Sequence, residues 1–141
     1  MPSQVKLAES QQEFESLFGV LKELRLDLEC ETFLSYVNEL LEDGYKFAYI
    51  AEAGQVACVA GFRLKKNFYM GTHVYVEDLV VSDQVRSSGL GKQMLSWIRE
   101  WAVSHGCKGM NLDSGVQRYK AHKFYLNQNM SIMCHHFVEI F

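Results

Sequence analysis

The residues most suited to chemistry lie in Tyr75-Val76-Glu77-Asp78-Leu79-Val80-Val81 and the run that follows, Arg86-Ser87-Ser88-Gly89-Leu90-Gly91-Lys92. They read as a buried strand, a glycine-bearing loop and the start of a long amphipathic helix. That order suits a pyrophosphate group. The first N–H groups of a helix lack intrahelical partners and the helix dipole adds partial positive charge, so a phosphate can dock there without a metal. Arg86 and Lys92 add cations, while Gly89 and Gly91 allow a backbone approach that a Cβ would block. Three nucleotide patterns compete for this loop. A P-loop needs glycine where Arg86 stands and Ser or Thr where Gln93 stands, and a dinucleotide fingerprint needs a third glycine at Met94. Both are excluded, which leaves R-x-x-G-x-G.

The flanking sequence must position that loop. Val5 and Leu7 suggest a first strand, and Ser10 with Glu13 makes a capping box for a helix carrying Phe14, Leu17, Phe18, Leu21 and Leu24 on one face. Residues 32–41 repeat the amphipathic pattern, and Asp43-Gly44 stops it. Residues 45–53 and 55–64 read as a hairpin about Ala53-Gly54, and 72–81 as the next strand. Residues 65–71 form a loop or strand extension with a basic start. After the loop, Leu90, Met94, Ile98, Trp101 and Ala102 fall at helical spacing up to His105-Gly106. A short strand over 108–112, a helix over 116–128 and a closing strand over 131–141 complete the order. The result is a mixed α/β layer with helices on both faces of the sheet.

Composition narrows the class. A chain of 141 residues, 48% hydrophobic and 22% charged, is expected to fold as one globular domain, residues 1–141. The net charge of -3 argues against a nucleic-acid partner, which would want a basic face. Cys30, Cys58, Cys107 and Cys134 have no C-x-x-C or zinc-type spacing, and the adjacent His135 and His136 would face opposite sides of a strand. No metal site is expected, and reduced thiols suggest the cytoplasm. No apolar run approaches the ~20 residues of a membrane span.

Arg86 to Gly91, set between strand and helix, resembles motif A (Q/R-x-x-G-x-G/A) of the GCN5-related N-acetyltransferase family, GNAT. Ala121-His122-Lys123-Phe124-Tyr125-Leu126-Asn127-Gln128-Asn129-Met130 resembles that family's motif B, A-x-x-x-Y-x-x-x-G-F, with Tyr125 at the tyrosine. The element order matches along nearly the whole chain. Asn129 and Met130 replace Gly and Phe, and Asn tolerates the left-handed backbone that such a helix end requires. Arg118 stands where Asn is frequent. The ending Arg118 to Tyr125 is similar to small bacterial aminoalkylphosphonate acetyltransferases, whereas Glu77-Asp78 resembles the polyamine acetyltransferases, so the two point to different amines.

The resemblance implies an acyl-CoA N-acyltransferase fold, α/β with a central, mixed and mostly antiparallel sheet. It also implies an N-acetyltransferase that moves acetyl from acetyl-CoA, its co-substrate, to a primary amine of a small molecule in a ternary complex. Alternative readings are a protein or peptide N-acetyltransferase and a non-catalytic acyl-CoA-binding regulator. Acetyl transfer requires that the ammonium lose a proton, the carbonyl oxygen be stabilised and the thiolate leave. Strand alternation puts Glu77, Leu79 and Val81 on one face and Asp78 and Val80 on the other. Glu77, or a water it holds, is the candidate base, with Asp78 in reserve. By the resemblance, the strand splays at Leu79, Val80 and Val81, often at a bulge, and exposes backbone groups to the pantetheine arm and thioester. Arg86, Ser87, Ser88, Gly89, Leu90, Gly91 and Lys92 would hold the pyrophosphate, with Ala121 and Phe124 also against the cofactor. Tyr125 is the implied general acid, since a phenol of pKa about 10 stays protonated at neutral pH. Residues 23–42 carry no constellation that selects a ligand. The apolar edge Phe137-Val138-Glu139-Ile140-Phe141 could pair two chains into a homodimer.

Overall fold

A computed structural model describes residues 3–85 and 89–141. Residues 1–111 form one compact unit and residues 112–141 a second. The first contains β1 (Val5–Leu7), α1 (Gln11–Ser16), α2 (Phe18–Leu24), α3 (Cys30–Glu42), β2 (Tyr45–Glu52), β3 (Gln55–Asn67), β4 (Gly71–Val81) and α4 (Leu90–Ser104). The division falls within β5 (Met110–Leu112).

The capping box at α1 forms as the sequence predicts: Glu13 N donates to Ser10 Oγ and Ser10 N to Glu13 Oε1, both at 3.1 Å. Tyr49 reaches the same carboxylate, its hydroxyl donating to Oε2 at 2.6 Å. The single helix expected to Leu24 is two. Ser16 Oγ donates to the Glu13 carbonyl, Leu17 N turns instead to Phe14 O at 3.1 Å, and α2 restarts from Leu17. A serine hydroxyl that competes for a backbone acceptor therefore breaks the ladder where hydrophobic spacing runs on unbroken. The hairpin turn is at Ala53 (φ 52) and Gly54 (φ 79), the left-handed pair that joins twisted strands.

The sheet runs β1-β2-β3-β4-β5, and β1 to β4 are antiparallel neighbours. Lys108 N donates to Thr72 O at 2.8 Å and Val74 N to Gly109 O at 3.1 Å, so the chain leading into β5 meets β4 in the parallel sense. One face, with Phe47 and Val59, packs on Phe14, Leu17, Leu21, Phe33 and Val37 of the N-terminal helical region. Phe62 faces the other way and meets the rings of Trp97 and Trp101 on α4, whose Met94, Leu95 and Ile98 are fully buried. The sheet is thus mixed, mostly antiparallel, and covered on both faces.

In the second unit, α5 (Tyr119–Asn127) is shorter than the helix expected over 116–128, because Val116 to Arg118 make a turn closed by Arg118 N to Gly115 O at 3.0 Å. Asn129 has φ 66, Asn129 N bonds Leu126 O and Met130 N bonds Tyr125 O. This is the left-handed helix end that asparagine was expected to tolerate. The closing strand expected over 131–141 is not observed: these residues have no regular structure, and Phe137, Ile140 and Phe141 are exposed. Apolar side chains there give strand propensity, but a strand exists only where a partner supplies the ladder.

Candidate active site

β4 contains the site's central feature. β3 pairs Phe62 with Val76 and Gly61 with Asp78, which leaves Glu77 as an extra residue in a β-bulge. The bulge corrects the alternation expected from sequence, because Glu77 does not share a face with Leu79 and Val81. Both carboxylates of the Glu77-Asp78 pair enter one hydrogen-bonded network. It also lies earlier in the strand than Val80 and Val81, which keep regular pairs with Val59 and Cys58 on the β3 side.

Two arginines hold the bulge. Arg25, at the C-cap of α2, donates from Nη2 to the Glu77 carbonyl at 3.0 Å and from Nε to Asp78 Oδ1 at 2.8 Å. Arg63, on β3, donates from Nε to Glu77 Oε2 at 2.7 Å and from Nη1 to the Asp43 carboxylate. Its guanidinium carbon lies 5.1 Å from the Tyr45 ring centroid, and the Tyr45 hydroxyl donates to Asp78 Oδ2. Burial, with the Asp78 charge and hydrogen bond added, pushes the Tyr45 phenol far above its ordinary range, so it is a fixed donor. Gly61 makes this geometry possible: a Cβ there would lie within 2.9 Å of Tyr45 Cζ.

The two carboxylates differ in availability. Both Asp78 oxygens are engaged and its side chain is only 11% exposed. Glu77 is 24% exposed and uses Oε2, while Oε1 bonds nothing among the described residues. A group that must take a proton from a substrate needs such a free oxygen. Three carboxylates against two guanidiniums leave the cluster with one net negative charge, which favours a cation.

Beyond the bulge, β4 ends at Val81 and the chain turns toward α4. Glu23 on α2 accepts from Ser82 Oγ at 2.9 Å and Asp83 N at 2.7 Å, so α2 is tied to β4 at both the bulge and the strand's end. The chain meets β4 at Thr72 and Val74 before entering β5, and a three-residue β5 is too short to accompany β4 to Leu79, Val80 and Val81. The Val80 side chain packs against the core cluster. Gly89 caps α4 at φ 90, a left-handed conformation that strains any other residue. Gln93 N is the first amide to bond back, to Gly89 O at 2.9 Å. Among the described residues no side chain caps the amides of Leu90, Gly91 and Lys92, which fits an anion-binding helix end. Arg86, Ser87 and Ser88 lie outside the described residues.

The remaining expected residues belong to the second unit. Ala121, Phe124 and Tyr125 lie on α5, with the Phe124 and Tyr125 rings 5.3 Å apart. Burial raises the Tyr125 phenol pKa against the opposing charge of Arg118. Tyr125 is therefore a protonated donor at neutral pH. His122 bonds the Gly115 carbonyl at 2.7 Å through Nε2, a role in the turn before α5. Among the described residues no group of three His, Cys, Asp or Glu side chains could hold a metal, and no helix is long and apolar enough to cross a membrane.

Comparison with known proteins fixes the lineage. Residues 9–130 match the acetyltransferase (GNAT) family. The chain belongs to that family. As a GNAT protein it is an N-acetyltransferase with acetyl-CoA as acetyl donor, and the motifs read at Arg86–Gly91 and Ala121–Met130 had implied this membership. It is 29% identical over 125 residues to the uncharacterized N-acetyltransferase YhdJ of Bacillus subtilis (strain 168), covering 88% of each chain. It is 23% identical over 117 residues to the aminoalkylphosphonate N-acetyltransferase of Salmonella typhimurium, covering 81% of this chain and 76% of that one. Among solved structures, AAC(6')-Iy in complex with the bisubstrate analog CoA-S-monomethyl-acetylneamine superimposes with a TM-score of 0.86 at 16% identity. That match covers 99% of this chain and 98% of the other and confirms the GNAT fold.

Sequence reasoning missed Arg25, Arg63, Tyr45, Asp43 and Glu23, none of which belongs to a motif. One signal was present. A glycine inside a strand, as at Gly61, marks a bulge or a close approach.

Proposed function

We propose that this GNAT protein acetylates a primary amine of a small molecule, with the acetyl group passing directly from acetyl-CoA to the amine in a ternary complex. The observation that carries the reading is the Glu77 carboxylate at the bulge, with one oxygen clamped by Arg63 and the other unengaged among the described residues. Glu77, directly or through a water, takes the proton of the acceptor ammonium. The amine nitrogen then bonds the acetyl carbon, the carbon–sulfur bond breaks and the Tyr125 hydroxyl gives its proton to the departing sulfur; the nitrogen sheds its second proton to solvent as the amide forms, and solvent returns a proton to the Tyr125 phenolate. The backbone of Leu79, Val80 and Val81 receives the pantetheine arm. Arg86 to Lys92 hold the pyrophosphate, and Ala121 and Phe124 line the cofactor.

Several features support direct transfer to a small cation. Burial pushes the Cys58 thiol up to about 12 and raises Cys107 as well, the opposite of an activated nucleophile. The net negative charge of the Glu77 cluster suits an ammonium. Aminoalkylphosphonates and aminoglycosides, named among the relatives, join polyamines as the acceptor panel. The exposed apolar side chains of Phe137, Val138, Ile140 and Phe141 support pairing with a second copy, and light scattering should then give twice the chain mass. The functional test is thiol release from acetyl-CoA across the panel, with mass spectrometry of the amines. One panel amine should gain an acetyl group in step with thiol release. Acetylation of peptides alone, or acetyl-CoA binding with no acceptor acetylated, would reject this reading.

A further inference from the structure

Arg63 serves no part of the fold's hydrophobic core, yet its guanidinium is among the most constrained groups in the first unit. It lies on β3 across from Tyr45, contacts that ring, and spans two carboxylates from different elements: Asp43, the C-cap of α3, and Glu77, the bulged residue of β4. Arg63 is 21% exposed at its side chain, Glu77 24% and Asp43 73%, so the pair facing the sheet is the sheltered one. A bulged residue is not aimed by the regular pleat, because the extra backbone unit gives its side chain more than one exit direction. Glu77 therefore needs an external group to fix its carboxylate. The planar fork of arginine can do so from Nε while Nη1 is held by a second anion, which a lysine point charge cannot reproduce.

We propose that Arg63 is a positioning residue for the acetyl-transfer reaction: held by Asp43 and the Tyr45 ring, it takes Oε2 of Glu77 and turns Oε1 toward the acceptor nitrogen. The proposal rests on the reading of Glu77 as the base. Arg63 itself touches neither the amine nor the acetyl group and transfers no proton. Its contribution is orientation, and misplacing a catalytic group by about 1 Å costs on the order of 10²-fold in rate.

The test is a kinetic double-mutant cycle on the full chain with acetyl-CoA and the fastest amine of the acceptor panel. It uses Arg63→Ala, Glu77→Gln and the double variant, with acetyl-CoA affinity measured by calorimetry. Arg63→Ala should lower kcat by about 10²-fold while acetyl-CoA affinity stays within about twofold of wild type. The double variant should be no slower than Glu77→Gln alone, because an oriented base that is absent cannot be misoriented. Arg63→Lys, which keeps the charge and the stem over Tyr45, should recover only part of the loss, and carries the same cycle should Arg63→Ala not fold. Wild-type kcat in both Arg63 variants, or losses that multiply in the double variant, would overturn the positioning role and leave Glu77 as the base. Wild-type turnover by Glu77→Gln would instead remove the base and the positioning role together.

Discussion

Gly61→Ala offers a severe test of the network around the bulge. The added methyl would lie 2.9 Å from Tyr45 Cζ and closer still to Cε1 and the hydroxyl, inside any real carbon contact. The ring is only 6% exposed, packs 4.8 Å from Phe47 between ring centroids and sits against the Arg63 guanidinium. It cannot move aside without leaving Asp78. Overpacking costs ~1–3 kcal/mol and losing a hydrogen bond to the partly buried Asp78 carboxylate ~1.5–3 kcal/mol, so Gly61→Ala should destabilise by ~2.5–6 kcal/mol. Tyr45→Phe, which removes only the hydroxyl, should lose ~1.5–3 kcal/mol. In a Tyr45→Ala background the same glycine change should fall within ~1 kcal/mol of neutral, since the obstructing ring is gone and alanine restricts the unfolded chain. Urea denaturation of wild type and the four variants reads these differences directly. A Gly61→Ala protein within ~0.5 kcal/mol of wild type, or an equal loss in both backgrounds, would refute the steric account.

Other outcomes follow from the same geometry. Tyr125→Phe should lower kcat by about 10²-fold with acetyl-CoA affinity unchanged, and equal losses in both would contradict a general acid. The Tyr49 hydroxyl, with the capping-box amides, lowers the Glu13 pKa from 4.5 to about 2. Its stabilising effect is therefore present above pH 4.5 and lost as pH falls toward 2. The site's exposure makes this a small effect, and acid unfolding curves of wild type and Tyr49→Phe should converge below that window. Toward a thiol reagent at pH 8, Cys30 and Cys134 should react quickly and Cys58 only on unfolding, because the first two are exposed and the last is buried. Fast labelling of Cys58 in the native protein would contradict its placement in the core.

Local chemistry in the sequence foretold local structure well. Ser10 with Glu13, Ala53-Gly54 and Asn129 each dictate a backbone event within a few residues, and each is found. So is the order of strand β4, glycine cap and helix α4, because glycine and hydrophobic spacing act along one stretch of chain. What escaped notice depends on residues distant in sequence. The bulge at Glu77 arises from register between β3 and β4, and unbroken alternation along β4 alone put Glu77 and Asp78 on opposite faces. The split at Leu17 turns on a hydroxyl competing for one carbonyl, to which hydrophobic spacing is blind. Arg25 and Arg63 are unremarkable cations until folding brings 52 and 14 residues of separation within hydrogen-bond reach of Glu77. The expectation of a strand over 131–141 failed for the related reason that pairing is a property of two segments.

The role proposed for Glu77 at the bulge is that of base for acetylation of a small amine. Its most direct test is single-turnover transfer from acetyl-CoA to the best panel amine, in wild type and Glu77→Gln, as a function of pH. Glu77→Gln should bind acetyl-CoA as wild type does yet transfer acetyl about 10²- to 10⁴-fold more slowly near neutrality, with the rate recovering at high pH as free amine accumulates. Wild-type transfer rates at neutral pH in the Glu77→Gln protein would contradict it.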